Sequence, residues 1–430
     1  MNGCVLKYPK LIENEDDRNS HICDSEQKRE EPQNLSEKLD NRNKVLSNLL
    51  QTAAQNGCVQ TYRKAIEKEE DKNPQIGDGQ TFLHLVTQYG YVELCEAVVN
   101  NLVKKYSHSK EVLEMYARDE DLVFDDFSNF EGKLPKNSKG QSPLHIAAIH
   151  GHYNIFKLFV DKLLDVIDWQ YAQNECLKND FKQWTPLHYS ATMGNEEICR
   201  LILEKYGQDS TNYLDSELQT PLHLAAKNGH FDICRLLMDY QAPCDLMDVS
   251  GFTPLHLAAE IGHQSICRLF IKRMIDKKPK DSKGRTPLHI AAFHGHFKVC
   301  KLFVDNLEFK DRNLNLKDFQ GWTPLHSAAF NGHERVCLLL IQNVGDKKPK
   351  NSEGFTPLDI AEQRKHKSVI AILRSFDKHH LKNDQFILPQ ASLFFSCFPP
   401  TQNSMKSITK NYTGPRNLHT SSINRSHSLP

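Results

Sequence analysis

Between Gly251 and Ile271 the chain reads GFTPLHLAAEIGHQSICRLFI, and its apolar positions fall into two short helical stripes separated by a glycine. Leu255 opens the first stripe behind Thr253 and Pro254. A threonine can cap a helix, and a proline at the first helical position gives up no N–H that the helix needs. Ala258 and Ala259 are small enough to let helices pack closely, and Gly262 has the place of a C-terminal stop. The second stripe, Ile266, Cys267, Leu269, Phe270 and Ile271, predicts one apolar face of a second helix. Polar residues and a glycine then predict a turn. Neither helix can bury its stripe alone, so the core must come from stacking against neighbouring copies.

Those copies exist. The residue at the threonine position is Asn48, Thr81, Ser142, Thr185, Thr220, Thr253, Thr286, Thr323 and Thr356 in turn, with steps of 33, 61, 43, 35, 33, 33, 37 and 33. The unit is therefore 33 residues, with insertions of 28, 10, 2 and 4 residues. Ala53, Ala54 and Gly57 align with Ala225, Ala226 and Gly229, so the first copy is a degenerate N-terminal cap, as expected where one face meets water. The last copy, ending near Phe376, also departs: Asp359 replaces the histidine and Lys365 the glycine, which predicts a C-terminal cap. Phe82 replaces the proline of the second copy.

The strings QTPLHLAAKNGH at 219–230, RTPLHIAAFHGH at 285–296 and WTPLHSAAFNGH at 322–333 resemble the ankyrin-repeat family. The resemblance implies an all-α solenoid over residues 47–376, of about nine helix-turn-helix repeats with short β-turn fingers. It also implies non-catalytic protein binding on a concave surface made by the turn tips and the first helices. Carried onto this chain, that surface contains Phe181, Trp184, Met193, Phe252, Ile261, Arg285, Phe293, His294, Phe319, Trp322 and Phe330. Aromatics and arginine are the usual anchors of protein interfaces. A second reading of Trp184, Phe252, Trp322 and Phe355, each just before the threonine position, is that they pack between adjacent turns.

Composition narrows the function. Lys plus Arg equals Asp plus Glu at 54 each, so the net charge gives no pull toward nucleic acid or anionic lipid, though a local patch stays open. No run of about 18 apolar residues and no basic-then-apolar leader occurs, so a soluble, intracellular protein is expected, cytoplasmic with the nucleus left open; a monomer is expected. The 21 histidines and 12 cysteines invite a metal or catalytic reading, but most fall into the repeat register. Seven histidines sit three residues after the threonine position and six sit ten after it. In His145-Ile-Ala-Ala-Ile-His150 the five-residue spacing separates the rings around a helix. Six cysteines, Cys95, Cys199, Cys234, Cys267, Cys300 and Cys337, share one slot that elsewhere holds Tyr62, Phe156 and Ile370. This marks a core position, not a ligand. None of the nucleotide, serine-hydrolase or zinc-protease motifs occurs, so no enzyme and no cofactor is expected.

Residues 1–46 and 377–430 read as disordered from their polar composition. The insertion at about 102–134 carries the acidic, aromatic run DEDLVFDDFSNFEG, which is either a partner loop or a tolerated surface insertion. In the tail, Phe386 to Phe398 is apolar. Arg425 to Pro430 matches the phosphopeptide form read by 14-3-3 proteins, with Ser428 as the phosphorylated residue. The expected function is an intracellular scaffold or adaptor. Two alternatives are a substrate adaptor for ubiquitin transfer, with Phe386 to Phe398 as its recruitment segment, and the cytosolic repeats of a larger ankyrin-bearing protein such as a channel.

Overall fold

The computed structural model describes residues 32–67, 73–76, 78–116, 134–163, 179–306 and 314–376. Apart from an isolated bridge between Gln75 and Thr81, the regular elements among these residues are helices, and they come in antiparallel pairs. Pro254–Ile261 with Gln264–Arg273, Pro287–Phe293 with Phe297–Asn306, and Pro324–Phe330 with Glu334–Asn343 are successive pairs. First helices pack on first helices and second on second along the array. One apolar core runs unbroken from Leu50 to Leu373, with the column of small alanines, such as Ala258 and Ala259, fully buried within it.

Each internal first helix starts and stops as its sequence predicts. The threonine or serine lies in extended backbone and its side chain meets the backbone of the third helical residue, while that residue, a histidine, reaches back to the cap. This is a capping box in which histidine does the work usually given to glutamate. At the other end the chain turns through a left-handed residue, for example Gly262 at φ 94°. Phe82, in place of proline, stacks on Tyr62 of the first pair at 4.8 Å.

The polar segment read as disordered up to residue 46 is in part helical. The first helix is Pro32–Asn56, continuous through Asn48. Leu35, Leu39, Leu46 and Leu50 recur at helical spacing behind a leading proline, and no Thr-Pro start signal interrupts them at Asn48. The large insertion likewise begins as an extension of the second helix of its repeat, Val92–Tyr116. Its acidic, aromatic run, the tail segment Phe386 to Phe398 and Ser428 lie outside the described residues. No helix among the described residues is long and apolar enough to cross a membrane.

Candidate protein-binding groove

Two ladders of side chains stitch the repeats together in opposite directions. In the forward ladder the backbone N–H of the capping residue donates to the histidine Nδ1, at 3.1 to 3.2 Å in seven repeats. Nδ1 is therefore bare and Nε2 holds the hydrogen. Nε2–H then donates to a carbonyl at the tip of the next repeat: His84 to Gln141, His145 to Trp184, His188 to Gln219, His223 to Phe252, His256 to Arg285, His289 to Trp322 and His326 to Phe355, all between 2.9 and 3.2 Å. Burial penalises a charged ring. It holds His84, His188, His256, His289 and His326 at a pKa of about 4 and keeps them neutral.

The backward ladder uses the residue after each left-handed helix stop, a glycine in every case but Lys365 before His366. His230, His263, His296, His333 and His366 donate from Nε2 to carbonyls of Thr192, Lys227, Glu260, Phe293 and Phe330 in the preceding repeat. Each ring lies where a side chain on the preceding glycine would be. A Cβ on Gly295 would stand 2.4 Å from His333 Nδ1, and one on Gly332 2.6 Å from His366 Nδ1. Asn195 fills the same seat above Gly151, and Tyr91 fills it above Gly57, donating its hydroxyl to Gln55. The last copy closes both ladders. Asp359 accepts from the Thr356 N–H and hydroxyl at 2.8 and 2.7 Å and offers nothing forward. Lys365 adopts φ 62°, and among the described residues no later ring is seated on it.

The turn tips share one more device. Asp180, Asp215, Asp248, Asp281, Asp318 and Asn351 each use Oδ1 to accept the N–H groups two and four residues on. In Asp180, Asp215, Asp248 and Asp281 the second oxygen meets a further side chain. Asp215 Oδ2 accepts from the Trp184 indole at 2.9 Å, Asp248 from Gln219, and Asp281 pairs with Arg285 at 2.7 Å. Tyr189 donates to Asp180 and accepts from Gln141, a relay hidden in the sequence because Leu224 and Leu257 occupy the same slot elsewhere.

This geometry sorts the candidate anchors. Phe181 and Phe319 are the most exposed, at 78 % and 72 %, and their rings lie across Gly140 and Gly284 of the preceding tips. Met193 and Ile261 are exposed, while Trp184, Phe252, Phe293, His294 and Phe330 are half-buried. Trp322 and Arg285 are buried, at 5 % and 7 %. They do not protrude: Trp322 packs against Phe330 at 5.5 Å, and Arg285 is tied to Asp281 with its guanidinium over the Phe252 ring. The structure does bring Phe293, Trp322 and Phe330 together, with Phe293 stacked on Phe330 at 6.2 Å. It adds Arg364, whose guanidinium carbon lies 3.7 Å from the centre of the Phe330 ring.

The six cysteines in the shared slot are buried, and burial pushes their thiols up, to about 12 for Cys95, Cys199, Cys267 and Cys337. Cys58 is different: a hydrogen bond from Thr61 lowers its pKa. Among the described residues no group of histidine, cysteine and carboxylate side chains is arranged to hold a metal.

A family model of ankyrin repeats, three copies long, matches the chain in overlapping windows at residues 50–168, 121–215, 163–248, 222–318, 268–351 and 306–384. None of the curated proteins compared with the chain matches it.

Proposed function

The chain belongs to the ankyrin-repeat family, whose repeats generally mediate protein–protein interaction and are typically non-catalytic, and from that premise we propose that it is a scaffold or adaptor holding a protein segment in its concave groove. The observation that carries this reading is the half-buried aromatic pair Phe293 and Phe330, stacked across two repeats, with Trp322 against Phe330. Rigid aromatic area, ordered in advance of binding, is what interface anchors supply.

Among the described residues, the histidines three and ten after the threonine position and the cysteines fourteen after it are engaged in caps, seams or core, which supports a binding role over a chemical one. The test is partner capture with the full chain. Phe293→Ala and Phe330→Ala are expected to weaken a captured partner by ~2 kcal/mol or more each while circular dichroism stays unchanged. Unchanged affinity in both variants overturns the assignment of the groove.

A further inference from the structure

We propose that the C-terminal half of the groove is built for a segment carrying a carboxylate beside an apolar side chain, an inference that rests on the groove reading above and names its partner chemistry. The first observation is Arg364. Its guanidinium lies over Phe330, whose ring is itself held by Phe293 and Trp322. Arg364 is exposed and forms no ion pair among the described residues, unlike Arg200, Arg235, Arg273, Arg285 and Arg374, which each hold a carboxylate. A stacked guanidinium keeps its edge N–H donors directed outward, pre-organised for a planar, bidentate acceptor.

The second observation concerns Trp322. At the equivalent place in an earlier repeat, Trp184 donates its indole N–H to Asp215 of the following tip. The following tip for Trp322 presents Asn351 instead. Asn351 Oδ1 is committed to the N–H groups of Glu353 and Phe355, which fixes the amide orientation and leaves Nδ2 toward the place that Oδ2 of Asp215 has beside Trp184. That buried nitrogen has no acceptor among the described residues, and Trp322 has no counterpart of the indole bond that Trp184 makes to Asp215. A donor has replaced an acceptor, so this end of the groove is short of acceptors. A buried donor left unmatched is destabilising, and a bound oxygen, direct or through water, offsets that.

The third is the field. Residues 264–376 carry 21 Lys and Arg against 11 Asp and Glu, whereas residues 1–263 carry 27 against 41. The overall balance of charge conceals a strongly basic C-terminal run of repeats, and such a run steers acidic segments toward it. The apolar platform and the acceptor-poor rim then select a carboxylate next to an aromatic or large aliphatic residue.

A phage-displayed random peptide library panned on the full chain tests this. Recovered peptides are expected to carry Asp or Glu within two residues of an aromatic or large aliphatic side chain. Arg364→Gln is expected to weaken them about tenfold, the size of one charge-assisted hydrogen bond, and Arg364→Glu further. Asn351→Asp, which restores the residue found at the other aspartate tips, is expected to weaken them as well by giving Trp322 its own acceptor. Peptides without an acidic preference, or with affinity indifferent to Arg364, overturn the inference. If those peptides still lose affinity in Phe293→Ala, the groove reading survives and only the carboxylate falls. No enrichment over bare resin, or indifference to both Phe293 and Arg364, overturns both.

Discussion

Lowering the pH from 7 to 5 is expected to weaken the array steeply, and the sign comes from the forward histidine ladder. Five capping rings have folded-state pKa values of about 4, against an ordinary 6.5 in the unfolded chain. The unfolded state therefore binds more protons between those values, and stability is lost as pH falls below 6.5, the loss levelling off near 4. At pH 5 each ring costs about 2 kcal/mol relative to pH 7. Five together reach on the order of 9 kcal/mol, comparable to the whole stability of a typical domain. Glu260 and Asp318, whose carboxyls burial pushes up, act in the opposite direction, but they are two against five. Urea unfolding followed by circular dichroism at pH 7, 6 and 5 measures the effect. His289→Gln sharpens it: losing the bonds of a ring that is buried and joined to Trp322 should lower stability at pH 7, yet the drop between pH 7 and 5 should shrink by about 2 kcal/mol. A wild-type stability at pH 5 equal to that at pH 7, or an identical drop in His289→Gln, refutes the neutral-ladder account.

Two further variants probe the seams and the tips. Gly295→Ala combines a strained φ of 76° with a Cβ in the seat of His333, whereas Gly354→Ala at φ 84° meets nothing within 4 Å. The first should cost about 1–2 kcal/mol more than the second in thermal or urea unfolding, and equal losses would mean that the ring seat is irrelevant. Arg285→Ala should destabilise the fold by about 3 kcal/mol, because it leaves the buried Asp281 carboxylate without its cation. A fully stable Arg285→Ala protein would return Arg285 to the groove anchors.

Much of the fold is legible in the string itself because each repeat states its own boundaries. Thr253 starts a helix, Gly262 stops it and the period repeats the statement. The N-terminal end of the array is harder to read, since Pro32–Asn56 is a helix without that punctuation and is recognisable only from the spacing of its leucines. The groove is half legible. The sequence places Trp184 and Trp322 in the same slot, but the residue five before the next threonine position differs: Asp215 accepts from the Trp184 indole, whereas Asn351 presents a buried nitrogen with no acceptor among the described residues. Arg285 and Arg364 look alike as isolated cations. Their difference lies in Asp281, four residues before one of them and pairing with it, and in Phe330, a whole repeat away from the other and carrying it on its face.

The two ladders also give the chain a temporal order. Each capping ring waits for a carbonyl that belongs to the repeat after it, so during synthesis the newest histidine-capped repeat carries a ring whose Nε2–H has not yet met its partner. At about 5–20 residues per second, a 33-residue unit leaves that ring waiting for roughly 2–7 s before its partner emerges. The wait recurs at every repeat until Asp359, which meets only its own threonine and needs no later repeat. Translation can pause anywhere in this array and leave an unfinished edge; only with Asp359 and Lys365 in place does the growing end become a finished one.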